Sequence, residues 1–199
     1  YFAGQVLSNT GTWMQRVAMS WLIYDLTGSA FLLGFIGFLS MLPTLLVSPV
    51  AGVLIDRWPK HRVIVITQVL AMLQALLLAG LVLTRLITAQ NATVLLILLS
   101  TFLGLVNAFD MPARQSFVVE MVERREDLSN AIALNSSLFN AARLVGPTVA
   151  GALVAAVGTG VCFLINGLSF VPVLVALLAM RVAPHEPRAG RHVWLELRE

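Results

Sequence analysis

Two stretches that lack Asp, Glu, Lys and Arg dominate this chain. Gly28 to Ile55 and Val63 to Leu83 are both uncharged and strongly apolar, and only a short charged segment separates them. A bilayer's hydrocarbon core is crossed by about 20 apolar residues at roughly 1.5 Å rise per residue. Each stretch is long enough to span it. The segment between, Gly52 to Arg62, then becomes a tight hairpin at a membrane surface. The whole chain agrees: 58% of its residues are hydrophobic and 12% charged, against about 25% charged in ordinary soluble domains.

Reading on from these two spans, six helices are expected. They run from about Tyr1 to Tyr24, Ala30 to Ile55, Val63 to Leu83, Thr93 to Phe109, Leu128 to Val157 and Val161 to Met180. Pro112 is expected to start a short surface helix with Phe117, Val118, Met121 and Val122 on its apolar side, Glu123 to Asp127 to form a solvated mixed-charge loop, and Asp127 to cap the fifth span. Residues 1–181 then form one transmembrane unit, and Val182 to Glu199 begin a cytoplasmic linker. The chain turns apolar at once from Tyr1, over a stretch too long for a cleaved signal peptide. It is expected to be an excerpt of a longer protein.

Charge distribution predicts the orientation. With the first residue inside, Arg57, Lys60, Arg62, Arg114, Arg124, Arg125 and the arginines after Met180 all fall on the inner side, and Arg85 alone falls outside. The positive-inside rule then places both ends in the cytoplasm. The basic residues lie in short loops and form no continuous face, so the net charge of +3 does not point to nucleic acid. Cys162 is the single cysteine, inside an apolar run. No paired-carboxylate, metal-spaced or nucleophile constellation and no phosphate-binding glycine loop occurs in the expected loops, so neither an enzyme nor a cofactor or metal is expected.

Two cations lie deep in expected spans. In the first, Gln5, Asn9, Thr12, Arg16 and Ser20 recur at helical spacing. In the fifth, Ser136, Asn140, Arg143 and Pro147 do the same. A charge near the bilayer centre costs about 2.5–3.5 kcal/mol on insertion scales and faces the bundle interior or a wet cavity. One reading is structural, with each arginine paired to carbonyls or a carboxylate. The other is a polar path for an anionic or polar substrate along Asn9, Arg16, Asn140 and Arg143, with Asp110 either pairing with an arginine or carrying a proton.

The hairpin residues Gly52, Asp56, Arg57, Lys60 and Arg62 resemble the signature loop between helices 2 and 3 of the major facilitator superfamily. Gly11 to Arg16, Leu26 to Ala30, Pro112 to Gln115 and Leu128 to Asn135 resemble its branch that includes the bacterial enterobactin exporter. Pro59 replaces the signature's glycine, so a fixed proline φ must make the turn. Gly146, Pro147 and Gly151 resemble the Gly-Pro motif of family exporters, with Ala142 and Ala150 in place of two of its glycines. Physically, the proline frees a carbonyl one turn back, and the two glycines would allow close backbone approach.

The resemblance implies an all-α integral membrane fold, with six transmembrane helices forming one half of a twelve-helix bundle. It implies a proton-coupled exporter of a drug-like or siderophore-like molecule in the bacterial inner membrane, working by alternating access. Its partners would be the substrate, the proton, the bilayer and a missing C-terminal six-helix half. The hairpin would be a cytoplasmic gate. Two other readings stand beside it. One is a self-contained six-helix scaffold or channel that assembles with itself. The other is the membrane part of an ATP-driven pump, against which the short loops argue.

Overall fold

The computed structural model describes residues 2–88, 90–120 and 127–180. Among these are six α-helices: α1 (Phe2–Thr27), α2 (Ala30–Arg57), α3 (Lys60–Leu83), α4 (Ala92–Glu120), α5 (Leu128–Val157) and α6 (Thr159–Ala179). Five of them, α2 to α6, are long and apolar enough to cross a membrane. α1 has the length, but its stripe of Gln, Asn, Thr, Arg and Ser lowers its hydropathy. The linker expected from Val182 onward lies outside the described residues, as does the charged segment 121–126.

α4 corrects the expected end of the fourth span. It does not stop at Phe109 but continues through Pro112 to Glu120. The reason is tertiary. Ala113 and Phe117 bury against Ile55, Ile64 and Leu177, which rewards the extra turns. An ion pair from Asp110 to Arg114 also brackets the proline on one face. Proline inside a spanning helix is tolerated where neighbours satisfy the freed backbone. Asp127 precedes α5 without a side-chain cap bond, because its backbone is already helical (φ −85°, ψ −9°).

The turns are short. Gly28 takes φ +60° and Gly158 φ +85°, a left-handed region that glycine enters without steric cost. Ser29 then caps α2 by accepting from the Leu32 N–H. Between α2 and α3 only Trp58 and Pro59 intervene, and Pro59 holds φ −62° directly before the first helical residue.

α1 packs on α5 and α6, α3 on α4 and α6, and α2 on α4. At Gly104 and Gly146 a missing Cβ lets a helix approach its neighbour's backbone. Gly104 of α4 lies against the Ser40 backbone of α2, where Thr44 Oγ1 donates to the Gly104 carbonyl at 2.9 Å. Gly146 of α5 lies against α1, where a Cβ would come within 2.6 Å of the Trp13 Cβ and 2.8 Å of the Thr10 carbonyl oxygen. Among the described residues Gly151, expected to allow a close approach, makes none. It is exposed, and a Cβ there meets nothing within 4 Å. Gly104→Val and Gly146→Val should therefore lower the thermal midpoint by an overpacking cost of about 1–3 kcal/mol. Gly52→Ala and Gly151→Ala, in open space, should leave it within a few tenths of a kcal/mol of their helix-propensity gain. Thermal unfolding of the four variants checks the contrast.

α2, like α5, is weakly enclosed. Its buried residues are Ile36, Ala51 and Ile55 alone, while Phe31, Phe38, Leu45 and Leu46 are exposed. So large an apolar surface belongs against lipid or further helices.

Candidate functional site

The polar stripe of α1 and the polar face of α5 meet across a cavity of about 270 Å³. Gln5, Asn9, Thr12 and Arg16 line it from α1, and Ser136 and Asn140 from α5. Within it Gln5 Nε2 donates to Asn9 Oδ1 at 3.1 Å. Asn140 is exposed, and its Nδ2 donates to the Ser136 carbonyl at 2.9 Å. A second, wider cleft of about 830 Å³ continues along the same side, bounded by α1, α2, α4 and α5. Trp13, Arg16 and Phe139 border both spaces. α3 and α6 also reach the first cavity, through Gln68, Asn166 and Phe170.

Asp110 sits in the wall of the smaller cavity and is 7% exposed. Its partner is Arg114, whose Nε donates to Oδ2 at 2.5 Å. Neither Arg16 nor Arg143 pairs with it. Its other oxygen accepts from Thr67 Oγ1 at 2.6 Å and Gln68 Nε2 at 3.1 Å. The carboxylate thereby joins α3 to α4. Gln68 Oε1 and Arg114 Nη1 are buried beside it without a hydrogen-bond partner among the described residues. A charge held by three donors in a low-dielectric interior is strongly stabilised where it is, and its removal strands those donors.

Arg16 and Arg143 converge on a third residue. The Arg16 Cζ lies 4.4 Å from the Trp13 ring centroid and the Arg143 Cζ lies 5.4 Å from it. Phe139 meets the same indole edge-on at 6.1 Å. Two cations from α1 and α5 thus share one aromatic ring, each contact being worth about 0.5–1 kcal/mol where exposed. Both arginines are exposed on the open side of the described helices.

The hairpin charges occupy helix ends. Asp56 and Arg57 close α2, and Lys60 and Arg62 open α3. Gly52 lies one turn before Asp56. Asp56 is exposed and, among the described residues, makes no side-chain hydrogen bond or ion pair. The turn itself is clamped to its neighbours. Trp58 stacks on Phe109 at 6.5 Å, and His61 Nε2 lies 2.8 Å from the Leu177 carbonyl, an acceptor that requires the proton on that nitrogen.

Sequence reasoning passes over several of these residues. Gln15, Gln74 and Asn166 form a buried chain: Asn166 Nδ2 donates to Gln15 Oε1 at 2.7 Å, and Gln15 Nε2 to Gln74 Oε1 at 2.9 Å. Gln74 Nε2 then reaches the Leu99 carbonyl of α4. Interhelical bonds of this kind add modest stability in membranes, on average about 0.6 kcal/mol each. The signal in the sequence is the rarity of amides in apolar runs. Trp13 carries no such signal, since an aromatic inside a membrane helix is unremarkable until its neighbours are known.

Comparison with known proteins gives a consistent result. The family profile described as transmembrane secretion effector matches residues 1–193. The staphyloferrin A transporter of Staphylococcus aureus is 28% identical over 199 residues, covering 99% of this chain and 49% of that protein. The multidrug efflux pump Tap of Mycolicibacterium fortuitum is 29% identical over 155 residues, 76% of this chain and 37% of its own length. Macrolide efflux protein A of Streptococcus pyogenes is 26% identical over 153 residues, again 76% of this chain and 36% of its own. The chain spans about half the length of the first of these relatives and over a third of the others. All are transporters rather than enzymes.

Proposed function

The chain belongs to the transmembrane secretion effector family of the major facilitator superfamily, a family of multi-pass membrane transporters, and from that premise we propose that it is one half of a proton-coupled exporter of a small molecule. The observation that carries this reading is the polar path itself. Arg16, Asn140 and Arg143 face the open side of four helices, where a second six-helix half would close a chamber between the two. In transporters built from paired repeats the substrate site lies at that midplane seam. The names of the relatives support a small molecule as cargo, and the two efflux proteins among them support outward movement.

The proton path in this reading runs through Asp110. A proton there cancels the charge that holds Arg114 and weakens the acceptor for Thr67 and Gln68. α3 and α4 would loosen where α4 meets the hairpin, so one binding event biases one mechanical contact. Asn9 continues the polar lining toward the end of α1, and Pro147 leaves the Arg143 carbonyl without its usual helical donor, giving α5 a place to bend. Gly52, Asp56, Arg57, Lys60 and Arg62 form the gate at the end of the bundle. That end also carries Arg114, while the opposite end carries Arg85 alone among the described cations outside the helix middles. The asymmetry supports a bacterial plasma-membrane protein with the hairpin in the cytoplasm.

The test uses the native gene product in everted membrane vesicles. The probes are 6-carboxyfluorescein and rhodamine 6G, dyes of opposite charge. Uptake of at least one should collapse when a protonophore dissipates the gradient. Uptake that persists on ATP alone with the gradient gone rejects proton coupling. A gene product of about this chain's own mass, active only as a cross-linkable oligomer, would replace the two-half arrangement by self-assembly.

A further inference from the structure

We propose that Arg16 and Arg143, gathered on Trp13, form a binding site for the carboxylate of a small anionic substrate. This rests on the transporter reading and adds the chemical class of the cargo. The first support is convergence. Residues far apart in the chain bring two guanidinium groups to one indole, at 4.4 and 5.4 Å from its centroid. Two like charges gathered at one place repel, and inside a membrane protein water screens that repulsion poorly. An arrangement of this kind is stabilised by an anion between or beside the cations.

The second support is that no acid of the described chain fills that place. Asp110, the buried carboxylate of the adjoining cavity, is committed to Arg114, Thr67 and Gln68. Among the described residues Arg16 and Arg143 have the Trp13 ring as their interaction partner and no carboxylate. A π face attracts a guanidinium more weakly than a carboxylate does, so an arriving carboxylate can take over the guanidinium N–H groups, in bidentate fashion where geometry allows. The ring holds the two guanidinium groups in place, and its release on binding need not be complete.

The third support is that the ring is itself positioned. Phe139 meets it edge-on, and the bare Cα of Gly146 lets α5 come down onto the Trp13 Cβ. Arg143 lies one turn before Gly146 on the same helix, so the approach that seats Trp13 also delivers the second cation. Trp13 and Gly146 are then positioning residues, and the arginines are the groups that touch the ligand.

The experiment is equilibrium binding by fluorescence anisotropy, with the native gene product in phosphatidylcholine nanodiscs. The probes are 6-carboxyfluorescein as the anion and rhodamine 6G as the cation. Arg16→Gln and Arg143→Gln should each raise the dissociation constant for carboxyfluorescein about tenfold or more, as expected for a lost charge-assisted bond, and leave rhodamine 6G unchanged. Arg16→Lys and Arg143→Lys should recover part of the loss. Trp13→Phe, which keeps a weaker aromatic face, should cost a fewfold for the anion alone. Thermal midpoints of the Lys and Phe variants guard against misfolding. Equal losses for both dyes, or no wild-type binding of carboxyfluorescein, overturn the proposal. So does displacement of carboxyfluorescein by added phosphatidylglycerol at low mole fraction, which would assign the site to a lipid phosphate. Binding needs no gradient, so a protein that discriminates the dyes but fails the vesicle assay loses the exporter reading and keeps the anion site.

Discussion

Asp56→Asn in the native gene product should reduce transport by about ten- to a hundredfold while leaving its membrane level and thermal midpoint unchanged. The magnitude is that of one lost charge-assisted contact, about 1.5–3 kcal/mol, applied to a two-state equilibrium. The selectivity follows from where the residue sits. Asp56 is exposed at the last turn of α2 and, among the described residues, its side chain makes no hydrogen bond or ion pair, so its charge does little to hold the described helices together. Its placement is even locally unfavourable. A negative side chain at a helix C-terminus opposes the macrodipole, as do Lys60 and Arg62 at the N-terminus of α3, at about 0.3–1 kcal/mol each. Asp56, a locally unfavourable charge with no side-chain bond among the described residues, fits a contact made outside them. Transport is measured in everted vesicles and fold by thermal unfolding. Wild-type rates in Asp56→Asn would leave the hairpin a topological signal and nothing more.

Asp110→Ala is expected to show the opposite pattern, a loss of the fold itself. Removing one member of a buried, hydrogen-bonded ion pair costs about 3–5 kcal/mol, because its partner is left charged and unpaired. Here Arg114 would be that partner, and the Thr67 hydroxyl and Gln68 amide would lose their acceptor as well. The membrane level should fall steeply. Asp110→Asn keeps the shape and one acceptor oxygen for Thr67 and Gln68, so it should be less destabilised than Asp110→Ala and yet lose gradient-driven transport, since it holds the site in its uncharged form. The double change Asp110→Ala with Arg114→Leu should be less destabilised than Asp110→Ala alone. A thermal midpoint for Asp110→Ala within error of wild type would show that the α3–α4 tie is incidental.

Much of the architecture is readable from composition and periodicity. A run such as Val63 to Leu83 can hardly avoid becoming a spanning helix, since in lipid each backbone group must be satisfied within its own segment. The first residue of α5 matches because Leu128 begins an apolar period just after a charged cluster. The end of α4 departs from the sequence pattern for an equally physical reason. Asp110 and Pro112 look like a stop until Phe117 is known to have a buried place waiting beneath the hairpin.

Periodicity states which residues of one helix share a face. Spacing alone therefore groups Asn9 with Arg16 and Asn140 with Arg143. It does not state how each helix is rotated toward its neighbours, because that depends on which ridges and glycine gaps of two helices fit together. So the chain by itself determined the helical membrane fold, the family and the ends at which the charges lie. Only tertiary packing decided that Asp110 answers to Arg114, Thr67 and Gln68 and not to the deep arginines, and that Gly146, unlike Gly151, meets another helix. It alone brought Arg16 and Arg143 onto Trp13. These contacts join residues distant in sequence, and their energies enter only once the backbones are close enough for a missing Cβ or a buried carboxylate to matter.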